Sequence, residues 1–378
     1  MTNKQSKFLS LFLLCSFVLQ ISTLSPPVHV PYQVFGTIGK ITPNEVYLLP
    51  KTVYQVTFSD FTDNSKDTLI FTGDIMLARN VEYLIQKNNP QFPFQNIDLK
   101  SLGERPAIIG NFESAIPVTH EFTPPFAMRF SVNPDYLDAL HEAGFTHVTL
   151  ANNHSFDYGS DGYTNAVTML SQHGITTFGN GRELDSSSVT YIDTDGGRVA
   201  LIGINASQSF PDFYALERTF AVASRQSDYQ IAVIHWGTEY ETVHTKTQEL
   251  IAKSLVADGA DLIIGHHPHV TEDVGLVDGV VVFYSIGNFI FDQYFSTEVE
   301  HGLVLSLDMR NAPAVRLLPV TSEEYHSQPT LMDREAEKAF LQNLAIRSAP
   351  ELAPDIETGL IPLSSMVASS RKNAIMVR

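Results

Sequence analysis

Short apolar runs separated by polar clusters set the pattern of this chain. Leu69-Ile70-Phe71, Pro106 to Gly110, Thr146 to Leu150, Val199 to Ile204, Gln230 to Ile234, Leu262 to Ile264 and Val280 to Tyr284 each read as a buried strand. Segments with apolar residues at helical spacing lie between several of them. Leu77 to Gln86 puts Leu77, Val81, Leu84 and Ile85 on one face. Asn133-Pro134 opens a second helix, with Asn as cap and Pro at the first position, and Gly144 ends it. Asp161 caps a third, which runs to His173 and stops at Gly174, and Lys246 to Asp258 forms a fourth, closed by Gly259. A last strand around Val315 to Val320 and a helix from Asp333 to Ile346 precede a Pro-rich tail. Strands alternating with helices predict an α/β protein.

The same pattern divides the chain. Residues 1–25 carry Lys4 and Lys7, then an apolar stretch from Phe8 to Val18, then small polar residues before Pro26-Pro27. That order reads as an export signal. Continued to Leu24, the stretch reaches the lower length limit of a membrane span, so a cleaved signal and an uncleaved membrane anchor are both expected forms. Either places the bulk of the protein in an extracytoplasmic location, membrane-anchored or secreted. Residues 26–67 form a short extended preamble, with alternation over Val53 to Phe58, followed by the main domain over 68–325 and a C-terminal helix and tail over 326–378.

Composition narrows the chemistry. The formal charge of -18 argues against a nucleic-acid partner, because a phosphate backbone requires a positive field. The only cysteine, Cys15, lies in the leader, so the folded part has neither disulfide nor thiolate, and any metal it holds uses nitrogen and oxygen ligands.

Candidate chemistry sits where the strands end. The clusters are Gly73-Asp74, Asn111-Phe112-Glu113, Asn152-Asn153-His154 with Asp157, His235-Trp236-Gly237 with Glu239, His266-His267-Pro268-His269, and Ser285 to Asn288 with Asp292. On an extended segment His267 and His269 point to one side and can share an ion. The Asn153 amide oxygen can bind a cation while His154, with Asp157 nearby, acts as general acid or oxyanion stabiliser. His235 reads as a ligand or as a satisfied core residue. Trp236 is a candidate wall of the site, and Glu239 a substrate contact or a loop-packing group. Arg129 is a candidate anion clamp or an ordinary surface arginine. Asn111, His266 and Asn288 complete the candidate substrate contacts. Six strand exits carrying such residues point jointly to a metal-dependent hydrolase.

Asn153-His154-Ser-Phe-Asp157-Tyr-Gly159, His235 and the His267-x-His269 pair resemble motifs of the calcineurin-like metallophosphoesterases. The whole run from Gly73 to Asp292 more closely resembles the CapA family of capsule, or poly-γ-glutamate, synthesis proteins. Its matching stretches are Gly-Asp-Ile-Met at 73–76, Asn-Phe-Glu at 111–113, 151–159, His-Trp-Gly-Thr-Glu-Tyr at 235–240, 259–270 and 284–292. The resemblance implies a four-layer α/β/β/α sandwich of the metallophosphoesterase type. It also implies Asp74, Glu113, Asn153, His235, His267 and His269 as ligands of one or two divalent ions (Mn, Zn or Fe), with His154 catalytic. Met76 stands where the phosphoesterases have a histidine, and a thioether is a poor ligand for a hard cation. The expected function is capsule or poly-γ-glutamate synthesis or retention by a metal-dependent hydrolase or transferase, with an anionic cell-surface polymer or a phosphoester as substrate. The alternatives are a general secreted metallophosphoesterase and a non-catalytic polymer-binding assembly subunit, the latter favoured by Met76.

Overall fold

The computed structural model describes residues 66–310 and 312–363. The expected export segment, Cys15 and the Val53–Phe58 alternation lie outside these residues. The chain enters through β1 (Thr68–Ile75) and continues with α1 (Arg79–Lys87), β2 (Ala107–Phe112), α2 (Leu137–Glu142), β3 (Phe145–Thr149), α3 (Gly159–Gln172) and β4 (Thr176–Phe178). A hairpin of β5 (Val189–Thr194) and β6 (Gly197–Asn205) follows. It leads to α4 (Phe213–Ala223), β7 (Tyr229–His235), α5 (Lys246–Asp258), β8 (Leu262–His266), β9 (Val274–Val277) and β10 (Val280–Phe283). The chain then forms β11 (Asn288–Ile290), α6 (Thr297–Glu300), β12 (His301–Asp308), β13 (Ala314–Thr321) and β14 (Thr330–Leu331). It closes with α7 (Arg334–Arg347), α8 (Ala353–Thr358) and β15 (Leu360–Pro362).

Two sheets result, making this a mixed α/β fold. One runs β14–β13–β12–β1–β2–β3–β4, with β11 beside β1 and β15 beside β13; the other runs β5–β6–β7–β8–β10–β9. Strands β1 to β4 are parallel, as are β6, β7, β8 and β10. Their alternating side chains serve three cores, one between the sheets and one on the outer face of each. Leu69 and Phe71 of β1 share a cluster with Leu201, Ile231 and Ile264 of the second sheet. Ile70 joins Val81 and Ile85 of α1, Leu140 of α2 and Leu170 of α3 on the other face. In β6, Ala200 and Ile202 turn toward Leu216 and Phe220 of α4 and Ile251 and Leu255 of α5. Burying both faces of these strands explains why they read as continuous apolar runs.

Several local expectations are refined. Asn133 does cap, accepting from the Asp135 amide, but a 3-10 turn over Pro134–Tyr136 precedes α2. Asp161 lies inside the first turn of α3, which starts at Gly159. Helix α5 carries a reciprocal Thr245–Gln248 capping box and ends at Gly259 with φ +111°. Strands β4, β5, β9 and β12 and helix α4 are additional to the predicted elements. Strand β12 is buried from Gly302 to Leu307, with an apolar run of only Leu303 to Leu305, and β4 and β9 are too short to display a period. The segment read as a tail forms α8 and β15, and β15 pairs with β13. Leu341, Leu344, Ile356 and Ile361 thereby enter the cluster between the sheets. Among the described residues no helix is long and apolar enough to cross a membrane.

Candidate metal centre

Parallel strands deliver their carboxyl ends to one edge, and register decides which residues meet there. Asp74 on β1 is level with Asn111 on β2. In the second sheet Asn205, His235 and His266 are level across β6, β7 and β8. Strand β1 shifts register against β2 between Phe71 and Asp74. At Gly73 an added Cβ would fall 2.0 Å from the Gly287 carbonyl oxygen, which accepts from the Asp74 amide at 3.0 Å. Glycine there lets the segment carrying Asn288 run against β1.

These exits converge on two buried carboxylates. Asp74 Oδ1 lies 2.8 Å from Asn111 Nδ2 and 3.1 Å from His266 Nδ1, while Oδ2 lies 3.2 Å from His269 Nδ1. Glu113 Oε1 lies 3.7 Å from His235 Nε2, 3.8 Å from His269 Nε2 and 3.9 Å from His154 Nε2. Asn153 Oδ1 lies 2.8 Å from His235 Nε2. Glu113, His267 and His269 form one group whose candidate ligand atoms lie within 4.8 Å of one another, and Asp74, Glu113 and His235 form a second. Glu113 belongs to both.

The donor chemistry fits a cation. Neither Glu113 carboxylate oxygen has a hydrogen-bond partner, nor has His267 Nδ1, although all three atoms are buried. Such orphans are costly unless something charged completes them. The separations around Glu113 Oε1 are too long for hydrogen bonds, yet suit atoms that each reach one ion over about 2 Å. Burial, followed by the charges of Asp74, Glu239 and Asp157, pushes the Glu113 carboxyl well above its ordinary range. Burial also raises Asp74, but hydrogen bonds from His266 and His269 outweigh it and hold that carboxyl well below the ordinary value. For His235, burial and then the charge of His267 lower the imidazole strongly, and burial with His269 lowers His267 to about 4. Both rings are therefore neutral at physiological pH, with lone pairs available for coordination.

Beside this cluster stands His154. Its Nδ1 lies 2.8 Å from Asp157 Oδ2, which also accepts from the Phe130 amide at 2.7 Å. The Phe130 ring stacks on the imidazole, centroids 3.9 Å apart. With Nδ1 directed at the Asp157 carboxylate, Nε2 faces Glu113 and the centre. Loop 152–158 is itself anchored, since Asn152 Nδ2 donates to Asn111 Oδ1 and to the Phe112 carbonyl.

The candidate residues thus separate by depth. His267 and His269 do reach one site, but by a different route from that expected. Their φ values of +99° and +61° make the segment a left-handed turn rather than an extended strand, with β8 ending at His266. Four candidate substrate contacts lie behind the ligands. Asn111 and His266 are buried and bonded to Asp74, and Asn288 is buried with Oδ1 3.0 Å from His269 Nδ1. Trp236 is fully buried in the helix-side core, its Nε1 donating to the Tyr284 carbonyl, so it is no wall of the site. Strand alternation explains this, because His235 and Trp236 must face opposite ways. Arg129 is exposed and Glu239 half-buried, so both remain at the mouth. Met76 is buried among the helix-side apolar residues, and its sulfur accepts from the Ala78 amide. Arg79 is a neighbour that the pattern missed. It is buried, paired with Asp292 and set 4.5 Å over the Phe130 ring. Its only sequence signal is a cation at the start of α1, shortly after Asp74.

Comparison with known proteins agrees with the residue pattern. Residues 68–293 match the family model described as bacterial capsule synthesis protein PGA_cap. The chain is 28% identical over 302 residues to the capsule biosynthesis protein CapA of Bacillus anthracis, covering 74% of this chain and 73% of that one. It is also 28% identical over 294 residues to the PGA biosynthesis protein CapA of Bacillus subtilis (strain 168), covering 72% and 76%. Among solved structures, a novel phosphatase from Mycoplasma pneumoniae aligns with a TM-score of 0.45 at 15% identity, over 67% of this chain and 93% of the other.

Proposed function

Since this chain belongs to the bacterial capsule synthesis family PGA_cap, we propose that it acts in the synthesis or retention of an anionic surface polymer of the poly-γ-glutamate kind. In this reading it is a divalent-metal-dependent hydrolase or transferase working outside the cytoplasmic membrane. The observation that carries the proposal is the buried convergence of Asp74, Glu113, His235, His267 and His269, with both Glu113 oxygens unpartnered.

Asp74, Glu113, Asn153, His235, His267 and His269 would hold the ion or ions. A divalent cation there supplies charge that polarises a phosphoryl or carbonyl oxygen and acidifies bound water. The remaining groups prepare the site. His266, Asn111 and Asn288 hold Asp74 and His269 in place. Asp157 holds the imidazole of His154 through Nδ1 and would stabilise its imidazolium form, whose Nε2 proton then goes to a departing oxygen or nitrogen. Phe130 covers one ring face and keeps water from it.

The test combines metal content with turnover. The purified protein is expected to carry at least one tightly held divalent ion, measured by plasma mass spectrometry, and to lose it in the His267→Ala/His269→Ala double variant. With the metal present it should cleave or transfer γ-linked glutamate chains, and His154→Ala should lose that activity while keeping the ion. A protein that binds no ion at micromolar metal overturns the centre. Turnover of small phosphodiesters with none of the polymer overturns the assigned substrate.

A further inference from the structure

Loop 152–158 carries His154 and Asp157 and presents two aromatic rings, each with an arginine on it. The Arg129 guanidinium lies 4.5 Å over the Tyr158 ring, and its Nε donates to the Asp157 carbonyl. Arg182 lies 4.2 Å over the Phe156 ring. Phe156 stacks on Tyr163 at 4.4 Å, nearly parallel, so its two faces are taken by Tyr163 and Arg182. Neither arginine forms an ion pair among the described residues, although acids outnumber bases in the chain by 42 to 24.

Arg182 is tied closely to the centre. At the neighbouring Gly181 an added Cβ would fall 2.2 Å from Ser155 Oγ and 2.6 Å from the Asn152 carbonyl, so the two loops lie in contact. Asn205 Nδ2 donates to the Gly181 carbonyl at 2.7 Å, and Asn205 is level with His235 in the sheet. A cavity of about 220 Å³ opens here, lined by Asn180, Arg182, Asn205, Ser209 and Phe210. Its acids are Asp212, which caps α4 through the Tyr214 and Ala215 amides, and the exposed Glu183. Stacking restrains a guanidinium while leaving its N–H fork free for an anion.

We infer that Arg182 and its cavity form a second anion subsite, which together with Arg129 brackets His154, so that the preferred substrate carries repeated anionic groups along a chain. The inference rests on the polymer reading above and extends it: the protein grips an oligomer across the reacting position rather than one terminal group. An anionic group in the cavity meets Arg182 and the Ser209 hydroxyl, while another of the same chain reaches Arg129. Arg225, exposed just past α4, likewise forms no ion pair among the described residues and serves as the control.

The experiment measures binding of fluorescent γ-linked glutamate oligomers of two and of ten residues to the full chain, with polyphosphate as a second polyanion. Arg182→Gln should weaken the ten-residue oligomer about tenfold and leave the two-residue one nearly unchanged. Arg225→Gln should alter neither, and Arg182→Lys should recover part of the loss. Equal binding of both oligomers by Arg182→Gln and the parent overturns the subsite. So does an equal loss in Arg225→Gln, which would mark a general charge effect, or failure of the parent to bind any polyanion. If the parent binds polyphosphate but not glutamate chains, and Arg182→Gln weakens that binding, the subsite stands and the poly-γ-glutamate assignment falls.

Discussion

Changing Glu272 to Gln should make the stability of this protein far less sensitive to pH. The Glu272 side chain is fully buried, with Oε2 accepting from Gln248 Nε2 at 2.6 Å and Oε1 unpartnered. Burial raises its carboxyl to about 8 against the Gln248 hydrogen bond, and the charges of Asp273 and Glu241 add to the rise. In the unfolded chain the group titrates near its ordinary value of 4.5. Between these two values the native state holds the extra proton, so stability falls as pH rises. The contribution is intact below about 4.5, has fallen by roughly 3 kcal/mol at pH 7, and by about 5 kcal/mol above pH 8. Glu272→Gln keeps the acceptor for Gln248 and cannot ionise, so it mimics the protonated native group. Melting temperatures of parent and variant should coincide near pH 4 and differ by roughly 5–10 °C at pH 7, the variant being higher. Circular dichroism melts from pH 4 to 8.5 provide the assay. A gap that stays constant across this range, or one that narrows as pH rises, refutes the argument.

Other perturbations probe the frame and the centre. In Gly265→Ala the new Cβ would lie 1.9 Å from the Tyr284 carbonyl oxygen and 2.5 Å from Trp236 Nε1. It should cost about 3 kcal/mol and shift the emission of the single tryptophan; an unchanged spectrum and urea midpoint would contradict the packing described. Asp292→Ala strands the buried charge of Arg79 and should cost about 3–5 kcal/mol in chemical denaturation, whereas adding Arg79→Met should restore part of it. A loss below about 1 kcal/mol would mean the pair is solvated. Asp157→Ala removes the oxygen that accepts from His154 Nδ1 and should lower polymer turnover about tenfold or more with metal content unchanged. Equal turnover would remove Asp157 from the mechanism.

Much of the fold was legible because the core strands are buried on both faces and so stand out as apolar runs. Strands β1, β2, β3, β6, β7, β8 and β10 all follow that rule. Strand β12 obeys the same physics through Leu303 to Leu305 but was not predicted; Gly302 and Ser306 bound that short run. Helix α4 is amphipathic, with Leu216, Phe220 and Ala223 buried, yet its Asp212 cap follows a loop that gives little notice of it.

The sequence by itself determined which residue types would gather at the strand ends, because a parallel strand carries its next polar residues to a common edge whatever lies around it. Only the tertiary structure decided their ranks. Asn111, His266 and Asn288 share donor chemistry with the ligands, and what sets them behind Asp74 and His269 is register and depth, which no local pattern encodes. Trp236 differs, because strand alternation already sends it to the helix-side core when His235 faces the site, whereas Arg182 depended on the fold. Its place over Phe156 on loop 152–158 arises from Gly181 packing on Asn152 and Ser155, a contact between loops on different strands that exists only once the sheets have formed.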